Sequence, residues 1–347
     1  MSGHASIRTP GTALTSLDIL LAARRSGYFQ NTRCGSHVVR ARWRRVSDSA
    51  VKHEARSRRR EAALVLRETM SPMGAALDRF RVATWNVNSL KVRAAGLDRL
   101  LARAAPDVLF LQETKSGQIH PDAASVFDRH GYATEHVGSG AYNGVAIASR
   151  HPLSGVERSG GFGLEPLDRE PRLISCMVDG PISVRVASVY VPHGREVGHW
   201  HYDYKLDFLE ALATTTRRWL AEGRLILGGD INIAPTDSDV FHPDAFVGKT
   251  HVTPLERAAW RQVIETGLVD IDAATWGPHE RRFTWWNHGI SYPRNLGMRI
   301  DVLAADSQLA TMVDTTWIDH LERSAERPSD HAALVADFHP QKVAPPV

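Results

Sequence analysis

From Arg79 onward the chain is written in short apolar runs that alternate with amphipathic stretches, separated by turn signals. Arg81 to Trp85 and Asp107 to Gln112 (DVLFLQ) read as buried strands, and Tyr132 to His136 with Gly144 to Ser149 as a strand pair joined through Gly138, Gly140 and Asn143. Arg172 to Val178 and Ser183 to Tyr190 follow, bridged by the Asp179-Gly180 turn. Arg224 to Gly229, Arg282 to Trp286, Arg299 to Ala304, Thr311 to Ile318 and His331 to Phe338 complete the predicted strands. Helical spacing of Leu90, Ala94, Leu97, Leu100 and Leu101 predicts a helix over Ser89 to Ala104, stopped by Pro106, with two more over Tyr204 to Ala221 and Pro254 to Thr266. Many strands with few long helices predict an α/β architecture of two packed sheets with helices outside, not a doubly wound parallel sheet.

Composition changes this picture at the amino terminus. The 347 residues carry a formal charge of +3, but residues 1–78 hold 14 Lys+Arg against 6 Asp+Glu, a net of +8, leaving −5 for residues 79–347. The Arg clusters at Arg42, Arg44, Arg45 and at Arg56, Arg58, Arg59, Arg60 come with few apolar residues, which predicts a loosely ordered extension apart from a helix across Glu54 to Glu68. Its composition favours a solvated tail, or translated sequence upstream of a start at Met70 or Met73, over a nucleic-acid tether or an Arg-rich targeting peptide. Residues 79–347 then form one large domain. Cys34 and Cys176 cannot build a disulfide framework or a zinc site, so a reducing, cytoplasmic setting is expected. No stretch is long and apolar enough to span a bilayer, and no membrane partner is expected.

Polar residues recur where the apolar runs end, the place from which side chains project into a cleft from a rigid scaffold. Asn86 follows RVATW, Glu113 follows DVLFLQ, Tyr190 follows VRVASV, Asp230 follows RLILGG, Asp301 lies in MRIDVL, and Asp330-His331 precedes the last strand. Each alone has a bland reading as a turn or cap. Together with Asn232 they make four carboxylates, two Asn and one His, an oxygen-rich set suited to Mg²⁺ or Mn²⁺. The Gly160, Gly161, Gly163 loop lacks the following Gly-Lys-Ser/Thr of a P-loop, which disfavours nucleotide triphosphate use.

The ordered motifs TWNVNSLKVR, LQETK, VYVPHG, GGDINIAPTDSDV, FTWWN, GMRIDVL and PSDHAAL, spread over residues 84–334, resemble the exonuclease III family of AP endonucleases within the endonuclease/exonuclease/phosphatase superfamily. The resemblance implies a four-layer α/β/β/α sandwich of two mainly antiparallel sheets flanked by helices. It implies a Mg²⁺-dependent nuclease, with Mn²⁺ able to substitute, that cleaves double-stranded DNA on the 5′ side of abasic sites and trims or cleans blocked 3′ ends. LQE and SDH are shared loosely with deoxyribonuclease I, sphingomyelinases and inositol polyphosphate phosphatases. Deoxyribonuclease I, however, would show a second catalytic His near Tyr190 and a disulfide. The alternative is a phosphatase or phosphodiesterase of the same fold acting on inositol phosphates or lipids.

Carried residue by residue, Glu113 is the principal metal ligand with Asn86 beside it, and Asp330, Asp230, Asn232 and His331 stand around the same ion. Asp230 orients or deprotonates the attacking water, Asn232 holds the phosphate, and His331, fixed by Asp301, donates to a phosphoryl oxygen. Tyr190 hydrogen-bonds the phosphate or assists as a phenolate. Asp230 and Asn232 would share a face if both lay in a strand, with a turn at Gly228-Gly229 the complication. The −5 balance of residues 79–347 requires a local patch for DNA, with Arg93, Lys115, Arg172 and Arg281 as candidates. Trp285, Trp286 and Met298 resemble the apolar lining of a small pocket for an extruded abasic sugar. A monomer suffices for this chemistry.

Overall fold

The strand read at Arg81 to Trp85 runs from Phe80 to Asn86 (β1) and is buried along its whole length, as the centre of a covered sheet requires. In the computed structural model, which describes residues 79–158, 162, 165–277 and 280–340, it is followed by α1 (Leu90–Ala104), β2 (Val108–Gln112), α2 (Pro121–His130), β3 (Ala133–Val137), β4 (Val145–Ser149) and β5 (Leu153–Arg158). Next come β6 (Leu173–Asp179), β7 (Ser183–Tyr190), α3 (Trp200–Glu222), β8 (Leu225–Asp230), α4 (Pro254–Ile264), β9 (Leu268–Asp270) and α5 (Ile271–Trp276). The chain continues through β10 (Trp285–Trp286), β11 (Gly297–Met298), β12 (Asp301–Asp306), α6 (Ser307–Ala310), β13 (Val313–Asp319) and β14 (Ala333–Phe338). The extension expected over residues 1–78, Cys34 and the glycines 160, 161 and 163 lie outside the described residues.

Two six-stranded sheets form, in the orders β13-β14-β1-β2-β4-β3 and β5-β6-β7-β8-β12-β9. Each is antiparallel except for one central parallel pair, β1 with β2 and β7 with β8. One apolar cluster, including Phe110, Ile147, Cys176, Val186 and Leu303, lies between the sheets. A second packs α1 and α2 on the outer face of the first sheet through Leu97, Leu101, Val126 and Phe127. A third packs α3 and α4 on the second through Phe208, Leu212, Trp260 and Val263. Helix, sheet, sheet and helix thus make the four layers expected. Burial of Cys176 in the inter-sheet cluster pushes its thiol up to about 12.

Several local readings need correction. The predicted turn at Gly228-Gly229 is the end of strand β8. Glycine is required there by closeness: a Cβ on Gly228 would stand 2.5 Å from the Phe110 ring, and one on Gly229 only 1.9 Å from the Val189 carbonyl oxygen. The strand predicted over Arg282 to Trp286 shrinks to Trp285–Trp286, paired with β11. Backbone groups around it are drawn off to loops, since Thr284 accepts from the Ala332 N–H and Trp286 donates to the Asp330 carbonyl. Helix α3 begins one turn before the predicted start, at Trp200, where the His199 ring accepts from the His201 N–H. Helices α2, α5 and α6 and strands β5, β9 and β11 are additions to the predicted set.

Gly229→Ala is expected to destabilise the fold by about 2 kcal/mol or more through overpacking, read as a lowered urea midpoint. An unchanged midpoint would show that β7 and β8 can separate without cost.

Candidate active site

The sheet registers bring the polar strand ends to one edge. Parallel β1 and β2 pair Asn86 with Gln112, so Glu113 follows at the same level. Parallel β7 and β8 pair Tyr190 with Asp230, and antiparallel β12 sets Asp301 opposite Asp230. β14 runs antiparallel to β1, which puts the residues just before it, Asp330 and His331, beside the carboxyl end of β1. The sheets are joined beneath this edge by polar contacts, the Gln112 amide donating to the Ser188 hydroxyl at 3.1 Å and that hydroxyl to the Leu111 carbonyl at 3.1 Å.

The two sheets meet at Asn86. Its Nδ2 donates to Glu113 Oε1 and to Asp230 Oδ2, each at 2.9 Å, while its Oδ1 accepts from the Asn88 N–H. Glu113, Asp230 and His331 offer ligand atoms all within 4.8 Å of one another. Two carboxylates and an imidazole at this spacing fit a divalent cation, the two carboxylates favouring a hard one. Asp330 stands alongside, accepting from Asn88 Nδ2 at 2.9 Å and from the Trp285 indole N–H at 3.1 Å. Asn232 lies just past the end of β8. Its N–H reaches Asp230 Oδ1 at 2.9 Å, and its amide Nδ2 donates to the Val191 carbonyl.

Electrostatics divide the acid and base character of this set. His331 Nδ1 donates to Asp301 Oδ2 at 2.8 Å, and its Nε2 faces Asp230 Oδ2 at 3.7 Å. Burial alone would lower its pKa, but Asp301, Asp230 and Asp330 outweigh that and raise it, so the ring is held as a cation. Burial, aided by Asp301, raises the Asp230 carboxyl above the usual carboxylate range, against the pull of His331 and of hydrogen bonds from Asn86 and Asn232. Burial, with Glu113 and Asp230 adding, also raises the Tyr190 phenol well above its usual value. The phenolate expected as one option for Tyr190 is therefore disfavoured, and the hydroxyl remains a donor.

Much of the site is built on left-handed backbone, which side chains other than glycine rarely adopt: Asn88 (φ 44), Ser89 (φ 94), Glu113 (φ 51), Lys115 (φ 51) and Asn232 (φ 51). Each excursion costs about 1–2 kcal/mol, so neighbouring bonds must impose it. The Ser89 N–H donates to the Glu113 carbonyl at 2.7 Å, and the Thr114 and Lys115 N–H groups donate to Gly144 and Asn143. Asn88 and Ser329 were not among the predicted residues. Asn88 carried a signal, sitting two residues after Asn86, and Ser329 directly precedes Asp330; its hydroxyl donates to the Asn86 carbonyl at 2.7 Å.

The residues expected to face DNA separate into groups. Lys115 is inside the site, its Nζ 2.8 Å from Glu113 Oε2 and 2.5 Å from Asn88 Oδ1. Arg93 is half-buried and clasps the Pro328 carbonyl at 2.8 Å, and Arg281 is exposed and donates to the Phe241 carbonyl. Arg172 departs from expectation. It is buried, ion-paired with Glu170, and stacked 5.0 Å over the Tyr190 ring, which makes it a support for Tyr190, not a surface contact. Trp286 departs too: successive strand residues face opposite ways, and it is 1 % exposed in the inter-sheet core, donating to Asn295. Trp285 faces the site. Met298, its partner across the ribbon, is 2 % exposed and packs with Val240, Phe246 and Ile300 behind it, so it backs that wall from within.

The sandwich and its edge define a divalent-metal-dependent hydrolase of phosphate esters. Residues 83–331 match the model of the Endonuclease/Exonuclease/phosphatase family. An exodeoxyribonuclease from Bacillus subtilis is 30% identical over 69% of this chain and 92% of its own length. Among solved structures, a 3′ phosphatase from Neisseria bound to a product DNA hairpin is 34% identical, with a TM-score of 0.69 over 75% of this chain and 99% of that one. An AP endonuclease from Archaeoglobus fulgidus gives 34% identity and a TM-score of 0.70 over the same shares, 75% and 99%. The chain belongs to the Endonuclease/Exonuclease/phosphatase family. Within it, this is a hydrolytic nuclease.

Burial also sets an acid limit. The rings of His136, His193 and His201 are lowered to about 4, mainly by burial, and those of His251 and His320 are lowered as well. Their folded pKa values lie below the unfolded one, so the unfolded chain binds more protons once the pH falls below about 6.5. Asp230 and Asp270, raised by burial, and His331, raised by its carboxylate neighbours against the pull of burial, act in the opposite sense, three groups against the five rings, to which the lowered carboxyls of Glu256 and Asp330 add. Stability of the metal-free protein is expected to fall as the pH drops from 6.5 towards 4, measured as the thermal midpoint; a flat profile would show these rings reach water.

Proposed function

We propose that this chain is a DNA-repair nuclease that hydrolyses the phosphodiester on the 5′ side of abasic sites in double-stranded DNA and also removes nucleotides and blocking groups from 3′ ends, acting as a cytoplasmic monomer with its catalytic domain in residues 79–347. The observation that carries the reading is the convergence of Glu113, Asp230 and His331 within 4.8 Å at the mouth shared by both sheets. The relatives named as exodeoxyribonuclease, 3′ phosphatase and AP endonuclease support DNA as the substrate.

Mg²⁺ is the proposed ion, with Mn²⁺ able to substitute, held by Glu113 with Asn86 and Asp230 near. When bound it would supply Lewis-acid stabilisation of the phosphoryl oxygens. The chain's own residues carry the remaining roles. Asp230, made more basic by burial and anchored by Asn86 and Asn232, is suited to orient the attacking water and take its proton. His331, held by Asp301 as a cation, donates to the phosphoryl oxygen that gathers charge, and so suits donation better than ligation. The Tyr190 hydroxyl and the second N–H of the Asn232 amide supply further donors. Asp330 orients Asn88 and Trp285 at the rim. Trp285, backed by Met298, forms the apolar wall proposed for an extruded sugar, and Lys115, Arg93 and Arg281 are the cations proposed for the DNA backbone.

A duplex carrying one abasic analogue tests the assignment. Cleavage is expected with Mg²⁺ and none with a chelator or in Glu113→Ala. Asp230→Asn and His331→Ala should each lower turnover by at least about a hundredfold. Near-normal turnover in both variants would remove the mechanism, and cleavage of inositol or lipid phosphates but not of the duplex would remove the substrate class.

A further inference from the structure

Charged side chains rarely leave water completely, and a buried ion pair commonly adds less stability than well-packed apolar residues in its place. Lys205 of α3 and Glu256 of α4 nevertheless form a pair 2.6 Å apart in which both side chains are 0 % exposed. Their remaining bonds lead to the active site. Lys205 Nζ donates to the Asn232 carbonyl at 2.7 Å and to the His193 carbonyl at 3.5 Å. Glu256 Oε1 accepts from the Thr250 hydroxyl at 2.6 Å and the His251 N–H at 2.9 Å, while Oε2 accepts from the Thr253 N–H and hydroxyl in the capping box of α4. His251 in turn meets Asn232 Oδ1 through its Nε2 at 3.2 Å.

Three separate stretches, those around His193, Asn232 and Thr250 to Thr253, are therefore pinned to one ion pair below the surface. Two of the pinned residues, Asn232 (φ 51) and His251 (φ 82), have left-handed backbone that local sequence does not enforce. We propose that Lys205, charged against Glu256, is a positioning residue: it grips the Asn232 carbonyl so that the same residue's N–H stays on Asp230 and its amide stays turned to the reacting phosphate. The inference rests on the proposed role of Asn232 and extends it to a residue that touches no substrate. A misplacement of about 1 Å can cost on the order of a hundredfold in rate, which sets the scale of the effect.

The experiment compares Lys205→Met and Glu256→Gln with Val263→Ala, a core variant on the same helix as Glu256 that loses packing without touching the pair. Turnover on the abasic duplex should fall roughly tenfold to a hundredfold in the first two with KM changed by less than about threefold, while Val263→Ala, at a comparably lowered melting temperature, keeps its turnover. Hydrogen exchange over residues 230–234 should quicken in Lys205→Met and Glu256→Gln and not in Val263→Ala. Normal turnover and unchanged exchange in a folded Lys205→Met or Glu256→Gln protein would overturn the inference. Should Lys205→Met not fold, the near-isosteric Glu256→Gln decides. If the unaltered chain cleaves no duplex, the functional reading fails by itself, and the exchange measurement still judges the grip.

Discussion

One amide group, that of Asn86, holds the site together. Its two N–H groups reach a carboxylate that follows the first sheet, Glu113, and one that ends the second, Asp230. That bridge is possible only because both sheets place a parallel strand pair at their centre and end those pairs on the same edge. Gly228 of β8, set against the Phe110 ring, and the polar seam in which Gln112 donates to Ser188 and Ser188 to the Leu111 carbonyl keep the sheets close enough for the reach. Everything chemical is hung on this junction: Asp301 through its register with Asp230, His331 through Asp301, and Asp330 through Asn88.

The junction also explains why the acid and base characters differ within a few ångströms. Four carboxylates crowd one buried edge, and the imidazole among them gains a proton that burial alone would remove. Asp230 pays for its isolation with a raised pKa, which is the property a water-activating carboxylate needs. Tyr190 is kept as a phenol by burial, with Glu113 and Asp230 adding, while Arg172 stacks on its ring and is held there by Glu170. A residue read from sequence as a DNA contact thus contributes from inside.

The layered fold and the strand-end residues were legible because both follow from local patterns. DVLFLQ and RLILGG are short apolar runs with a polar residue at their carboxyl end, and such runs are buried strands wherever they pair. The helical half of α1 was visible in its Leu spacing. Strand β5 escaped because Leu153–Arg158 is largely exposed at a sheet edge, where no apolar alternation is needed. FTWWN showed two tryptophans but not which one the pleat turns inward. Lys205 and Glu256 lie 51 residues apart and carry no local mark, since a buried charge is defined by what the fold brings against it. The left-handed turn at Glu113 was hidden for the same reason: it is imposed by loops from Ser89 and from Asn143 to Gly144.

Cys176 adds a property of a different kind. It is the one cysteine among the described residues, and it sits between the sheets with no exposure, its thiol pushed far above neutrality. A thiol in that state supplies very little thiolate to attack a peroxide, and none of the residues assigned to catalysis carries sulfur. The proposed enzyme would therefore keep its chemistry intact in an oxidising episode, the circumstance in which sugar and base lesions accumulate fastest.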